Sequence, residues 1–195
     1  MTETQVVTDA QRLSENLGQF PDPVVKPVFI VVSGLPGTGK SYFCSKLAER
    51  LPFVILESDI LRKTLFLSPT YSLLESSRLF QAIHRLIGEL LKRGIPLILD
   101  ATNLSERYRE RLYHIADRLD AKLILVRVEA PPEVVYERLK ARSEGRSSES
   151  SSDADWAVFQ KMQPTVQKIH RNHFAVDTSR DITPVLDKIV REVNK

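Results

Sequence analysis

The stretch "VFIVVSGLPGTGKSYFCSKLAERL", Val28 to Leu51, decides the fold. Phe29 to Val32 is an apolar, β-branched-rich run, the pattern of a strand buried on both faces in a parallel sheet. It stops abruptly at a glycine-rich turn, after which "SYFCSKLAERL" resumes with helical periodicity. Between the two, Gly34-Leu35-Pro36-Gly37-Thr38-Gly39-Lys40-Ser41 has the spacing G-x-x-x-x-G-K-[ST]. A loop that wraps phosphate oxygens needs unusual dihedrals and close backbone approach, which glycine permits. The helix N-terminus behind it adds positive potential.

Strand, loop and helix together predict a phosphate cradle. In it Lys40 reaches the β- and γ-phosphates and the Ser41 hydroxyl ligates Mg²⁺. The bland alternative is a glycine-rich turn carrying a surface lysine.

Outward from this unit, strand and helix patterns alternate. "PFVILESD" reads as a strand ending in acids, and a helical region from about Ile60 to Arg93 is interrupted near "SPTYS". "IPLILDATN" is a further strand, followed by the helix "LSERYRERLYHIADRL". "AKLILVRVEA" and the proline-led helix "PPEVVYERLKAR" come next, then the strand "HFAVDTS" and the amphipathic helix "ITPVLDKIVREV". Such alternation implies right-handed βαβ crossovers, hence an α/β domain with a parallel sheet covered on both faces.

Residues 1–26 read as an extension. Thr8 and Gln11 have capping-box spacing, with Leu13, Leu17 and Phe20 on one face of a short docking helix, and Pro21, Pro23 and Pro27 break the chain into an extended linker. Residues 27–195 form the main domain. The serine-rich segment "SEGRSSESSSDAD", Ser143 to Asp155, lacks the apolar surface to pack and is expected to be mobile, part of a lid at about 138–156 or else a plain linker.

Composition narrows the class. With 42% hydrophobic and 27% charged residues and a net charge of +3, the chain lacks the strong basic bias of a dedicated nucleic-acid binder, while anionic ligands stay open. Its single cysteine, Cys44, has no internal disulfide partner and reads as a small buried hydrophobe. The polar N-terminus and the lack of a long apolar run point to a cytoplasmic protein with no membrane segment.

Ligands of open α/β sheets sit beyond the carboxyl ends of the strands, so acids there are candidates for chemistry. Asp59 ends the second strand, and Arg62 follows one helical turn later on the same face. A carboxylate there would take a proton from an attacking hydroxyl, and a guanidinium would hold an acceptor or the transferring phosphate. The competing reading is that Asp59 or Ser58 merely caps the helix. Asp100 ends "LILD", where an acid orients Mg²⁺ beside Ser41. The next residue is Ala101, not the second acid of water-polarising motor ATPases, so transfer to another acceptor is favoured over hydrolysis.

Arg138, Arg142 and Arg146 would meet phosphate charge on lid closure. Arg62, Tyr71, Arg78 and His84 would suit a phosphate, a sugar or a base. Arg107, Arg109 and Arg111 alternate with Glu106 and Glu110 and read as a solvated helix face. Trp156, Phe159 and Met162 read as core, and the histidines form no zinc set.

The P-loop, "ESDILRK", "LILDATNLSERYRERL", "APPEVVYERLKAR" and "SSDADWAVFQ" together resemble the P-loop kinases of the AAA-33 type, which include polynucleotide 5′-hydroxyl kinases and zeta-toxin-like kinases. The resemblance runs from Val28 to the C-terminus. It implies a three-layer, adenylate-kinase-like P-loop NTPase fold, with a lid and a five-stranded parallel sheet of order 2-3-1-4-5. The implied activity is phosphoryl transfer from ATP·Mg²⁺ to a hydroxyl on a nucleic-acid 5′ end or a small molecule.

By that similarity Asp59 is the general base, Arg62 contacts the acceptor with Thr102 and Asn103, and Arg142 is the lid arginine. Arg138 lies near the adenine or its phosphates, and Thr178, Ser179 and Arg180 pass beside the base. The nucleotide-binding set is then Gly34 to Ser41, with Tyr42 directly after it. Asp100-Ala101-Thr102-Asn103 departs from the acid-Thr-Asn of the best-known polynucleotide kinases. A nucleotide-dependent switch acting through a partner is the alternative from another class.

Overall fold

Alternating apolar runs and amphipathic stretches resolve into one sheet with helices on both faces. The structure, a computed structural model, describes residues 2–145 and 152–195. In chain order the elements are α1 (Glu3–Glu15), β1 (Val28–Ser33), α2 (Lys40–Ala48), β2 (Val54–Glu57), α3 (Ser58–Leu65) and α4 (Leu73–Lys92). Then follow β3 (Leu97–Asp100), α5 (Glu106–Arg118), β4 (Lys122–Glu129), α6 (Pro132–Ser143), α7 (Trp156–Met162), a 3₁₀ turn at Gln163–Thr165, β5 (Phe174–Asp177) and α8 (Thr183–Val193).

The five strands are parallel and stand in the order β2-β3-β1-β4-β5, the order that the resemblance implies. All six residues of β1 are buried, as a central strand requires. Their side chains alternate between the two layers: Phe29 and Val31 pack with α3, α4 and α5 residues such as Leu61, Leu86 and Leu112, and Ile30 and Val32 with Phe43 and Leu47 of α2 and Leu186 of α8. Each fully buried Leu or Phe contributes about 1.5–3 kcal/mol, so both layers are needed to hold the sheet.

Strand register positions the site. Val32 lies opposite Asp100, and Glu57 of β2 opposite the same residue. The carboxyl ends of β2, β3 and β1 are therefore level, and the chain leaving each one enters the same space.

The N-terminal helix starts earlier than the Thr8 capping box predicts. Thr2 is the N-cap, its side chain accepting from the Gln5 N–H, while Thr8 sits mid-helix with its hydroxyl donating to Thr4 O. The reason is tertiary: Ala10 and Leu13 reach the layer that holds Phe29, and Asp9, fully buried, takes a two-bond clamp from Arg78 of α4. Arg78, read as a possible cleft residue, is thereby committed to α1. No helix among the described residues is long and apolar enough to cross a membrane.

Candidate active site

A cleft of about 990 Å³ opens beyond the level strand ends. Pro36, Gly37, Gly39, Lys40, Ser41 and Tyr42 form one end of it. Gly37 and Gly39 have φ of +77° and +88°, a region costly for residues with a Cβ. A Cβ at Gly39 would also stand 2.9 Å from Thr178 Oγ1.

That closeness is part of a clasp. The Thr178 hydroxyl donates to Thr38 O at 2.6 Å and accepts from Arg138 Nη1 at 2.8 Å, while Arg138 Nη2 donates to Thr178 O at 2.9 Å. The end of β5 and helix α6 thus hold the outer flank of the loop. Leu35 anchors the loop from beneath, packing on Val135, Leu139 and Phe159. Gly34, Leu35 and Thr38 serve as this anchor and do not line the cleft: Gly34 N–H donates to Thr102 O at 3.1 Å and the Thr38 hydroxyl to Leu35 O at 2.8 Å. Lys40 Nζ reaches back to Leu35 O at 3.1 Å.

The Ser41 hydroxyl donates to Asp100 Oδ2 at 2.7 Å, at the foot of the loop. Burial raises the Asp100 pKa, offset in part by Lys40 and Ser41 and reinforced by Asp59. A buried carboxylate paired with a hydroxyl suits Mg²⁺, which takes one or two protein oxygens and completes its shell with phosphates and water. Among the described residues no group of three His, Cys, Asp or Glu forms a metal cage.

At the other end, α3 begins at Ser58 with Glu57 in the N-cap position, so Asp59 lies in the first turn and lines the cleft rather than capping the helix. Its charge is felt by Asp100, Tyr71 and Arg142. Arg142 lines the cleft as well, and burial lowers its pKa against the pull of Asp59 and Asp153.

Arg62 is buried and already engaged. Its Nη1 pairs with Glu75 Oε1, Nη2 donates to Ser76 Oγ at 3.4 Å, and its guanidinium lies 4.7 Å from the Tyr71 ring centroid. Its Nε is buried without a partner among the described residues. Burial disfavours the Glu75 charge, but Thr70 N–H at 2.6 Å, the Arg62 pair and the Thr70 hydroxyl outweigh it and bring the pKa down to about 2. The expected acceptor arginine thus faces the cleft from within an ion pair.

Tyr71, at φ +55°, donates its hydroxyl to Asp153 Oδ2 at 2.8 Å, and Lys63 Nζ meets Asp153 Oδ1 at 3.0 Å. Burial, with Asp153 beside it, pushes the Tyr71 phenol up to about 12. Arg142 Nη1 also reaches Ser152 O at 3.4 Å. Ser152 and Asp153, inside the span expected for the lid, are therefore fastened across this end of the cleft. Arg146 and residues 147–151 of the serine-rich segment lie outside the described residues.

Other expected site residues divide. Thr102 and Arg180 line the cleft. Ser179 does not: its N–H and hydroxyl both donate to Asp177 Oδ1. Asn103 is buried, with φ +46° and its amide nitrogen donating to Val32 O at 2.9 Å, so it ties β1 to the β3–α5 loop.

Two readings need correction. Arg109 is not solvated: it is 1% exposed and bonds Asn103 O, Gln167 O and Lys168 O besides Glu106. Met162 borders the cleft instead of filling core. Glu75 and Asp153, which local spacing does not single out, hold Arg62, Lys63 and Tyr71 at this end of the cleft. The capping Ser72 three residues before Glu75 was the only local signal for it.

Solved structures place this geometry among known folds. The APS kinase of Mycobacterium tuberculosis, in complex with AMPPNP and APS, superposes with a TM-score of 0.65 at 15% identity, covering 89% of this chain and 100% of that one. Kti12 of Chaetomium thermophilum, in complex with ADP-AlF3, gives 0.62 at 19%, covering 85% and 98%. A gluconokinase of Sinorhizobium meliloti gives 0.57 at 24%, covering 86% and 89%. These show a shared fold. A sequence model described as an AAA domain, AAA_33, matches residues 29–169, the span that holds both ends of the cleft up to α7. The chain belongs to the AAA_33 family.

Proposed function

We propose that this protein is an ATP- and Mg²⁺-dependent phosphotransferase that moves the γ-phosphate to a hydroxyl group of a second substrate. One observation carries the reading: Lys40, Ser41 and Asp100 at one end and Asp59 with Arg142 at the other line a single cleft, with Asp59 within electrostatic reach of both Asp100 and Arg142.

The loop N–H groups and Lys40 bind the phosphates. Ser41 and Asp100 would hold Mg²⁺, which when bound offsets phosphate charge and orients the terminal group. Asp59 accepts the proton of the acceptor hydroxyl as its oxygen bonds to phosphorus and the bond to the ADP leaving oxygen breaks. Arg142 stabilises the transferring group, and the base of ATP lies toward Tyr42, Arg138, Thr178 and Arg180. Positioning and charge stabilisation supply most of such a rate, which suits these residue types.

The similarity to the AAA-33 kinases, and to a gluconokinase and an APS kinase of the same fold, supports a kinase; it leaves a polynucleotide 5′-hydroxyl and a small molecule both in play. Transfer of labelled γ-phosphate to a panel of 5′-hydroxyl oligonucleotides, nucleosides, sugars and amino sugars tests the reading. Product formation that disappears in Asp59→Ala is expected. Release of free phosphate alone, at a rate unchanged in Asp59→Ala, would replace it with a nucleotide-dependent switch.

A further inference from the structure

A second cavity of about 330 Å³ shares Phe80, Thr102 and Met162 with the main cleft. Its volume is at the lower end of small-molecule sites, about 300–1,000 Å³. Phe80 and His84, one turn apart on α4, stand with ring centroids 6.4 Å apart and planes tilted by 41°. Tyr108 of α5 and Met162 of α7 complete an aromatic and thioether lining.

None of the ten lining residues is Lys, Arg, Asp or Glu. Burial, with Arg111 adding to it, lowers the His84 pKa to about 4, so its imidazole is neutral at pH 7. Arg111 itself stands 5.8 Å from the Tyr108 ring centroid and is not part of the lining. The polar groups that remain are neutral. Gln167 Oε1 accepts from Glu106 N–H at 2.7 Å, which leaves the amide nitrogen at the rim as a donor.

In the main cleft two of the charged groups are already paired, Arg62 with Glu75 and Asp153 with Lys63. A nucleic-acid acceptor needs a track of cations along its phosphates. A neutral ring needs what this cavity has: apolar and aromatic walls with a few uncharged donors and acceptors.

Resting on the phosphotransferase reading, we infer that the side cavity seats an uncharged planar ring of the acceptor, making the second substrate a small, neutral, ring-bearing alcohol of nucleoside size. The ring packs against Phe80, Tyr108 and Met162. Its hydroxyl-bearing part extends past Thr102 into the cleft that holds Asp59.

The test is saturation-transfer NMR on the full chain with Mg²⁺ and a non-hydrolysable ATP analogue, using uridine, xylitol and a 5′-hydroxyl thymidine tetranucleotide as probes. Uridine is expected to bind in preference to the other two. Thr165→Trp, which fills the cavity from its exposed rim, and Phe80→Ala, which removes one wall, are each expected to weaken uridine at least tenfold. Affinity for the ATP analogue should stay within twofold. Preference for xylitol or the tetranucleotide, absence of uridine binding at millimolar concentration, or uridine binding indifferent to both variants would overturn the inference. Those results leave the phosphotransferase standing, because labelled transfer and its loss in Asp59→Ala are read separately. Cavity-dependent uridine binding with no transfer to any acceptor would sink the reaction and the acceptor role together.

Discussion

The two ends of the cleft are built on opposite plans. The proposed phosphate end is one continuous stretch, Gly34 to Ser41, whose backbone is anchored through Gly34, Leu35 and Thr38 and held at its flank by Thr178 and Arg138, with Lys40 and Ser41 lining the cleft. The acceptor end is side chains from α3, the Tyr71 turn, α4, α6 and the chain at Asp153, held by ion pairs and hydrogen bonds between them. A backbone cradle fits any nucleoside triphosphate and tolerates little change. A side-chain enclosure can be respecified residue by residue, so the proposed reaction would draw its selectivity from that end.

The largest expected effects separate the ends kinetically. Lys40→Ala and Asp59→Ala should each lower kcat by about 10³-fold, within the range for losing a charge-stabilising donor or a general base. Only Lys40→Ala should also weaken ATP strongly by calorimetry. Equal loss of ATP affinity in Asp59→Ala would mean that the ends are not separable.

Next comes the buried pair. Glu75→Ala leaves the buried Arg62 charge without its counter-ion, at a cost of about 3–5 kcal/mol in urea unfolding. A cost under about 1 kcal/mol would show that water replaces Glu75, and that the acceptor end is looser than its hydrogen bonds imply. Because the folded Glu75 pKa, about 2, lies below its ordinary 4.5, its contribution is complete above pH 4.5 and declines as pH falls toward 2.

His84 gives a smaller, pH-dependent effect. Its folded pKa of about 4 lies below the ordinary 6.5, so the unfolded chain binds the extra proton between these values. Stability should therefore be complete above pH 6.5 and fall by about 3 kcal/mol on approaching pH 4. In His84→Phe this part of the slope should vanish in denaturant titrations at pH 7, 5.5 and 4.5. An unchanged slope would place the imidazole in solvent and weaken the case for a neutral side cavity.

The smallest effect sharpens the contrast. Tyr71→Phe removes the hydroxyl that reaches Asp153, worth about 1 kcal/mol. It should raise the acceptor KM several-fold and leave the ATP KM unchanged in steady-state assays. A change confined to ATP would assign the Asp153 bridge to the wrong end.

What could be read from the chain follows the same division. The cradle was legible because its spacing, its glycines and its strand and helix are contiguous, and Asp59 and Asp100 because acids at parallel strand ends share one edge of the sheet. Arg109 was misread because an alternating charge pattern on α5 looks solvated; its carbonyl partners at Gln167 and Lys168 lie 58 and 59 positions away. Arg62 looked available because Glu75 is brought to it by the turn at residues 66–72, and no local pattern encodes that turn's path.

The amino-acid sequence by itself determined the α/β class, the phosphate loop and the acids that face it, since hydrophobic periodicity and short-range spacing act within a few residues. Tertiary structure alone decided which arginines line the cleft and which are spent on the fold. It also decided that α1 is clamped by Asp9 and Arg78, and that a neutral cavity lies beside Thr102. Charge pairing and enclosure are properties of groups brought together from distant positions, and burial fixes them only once the chain has closed.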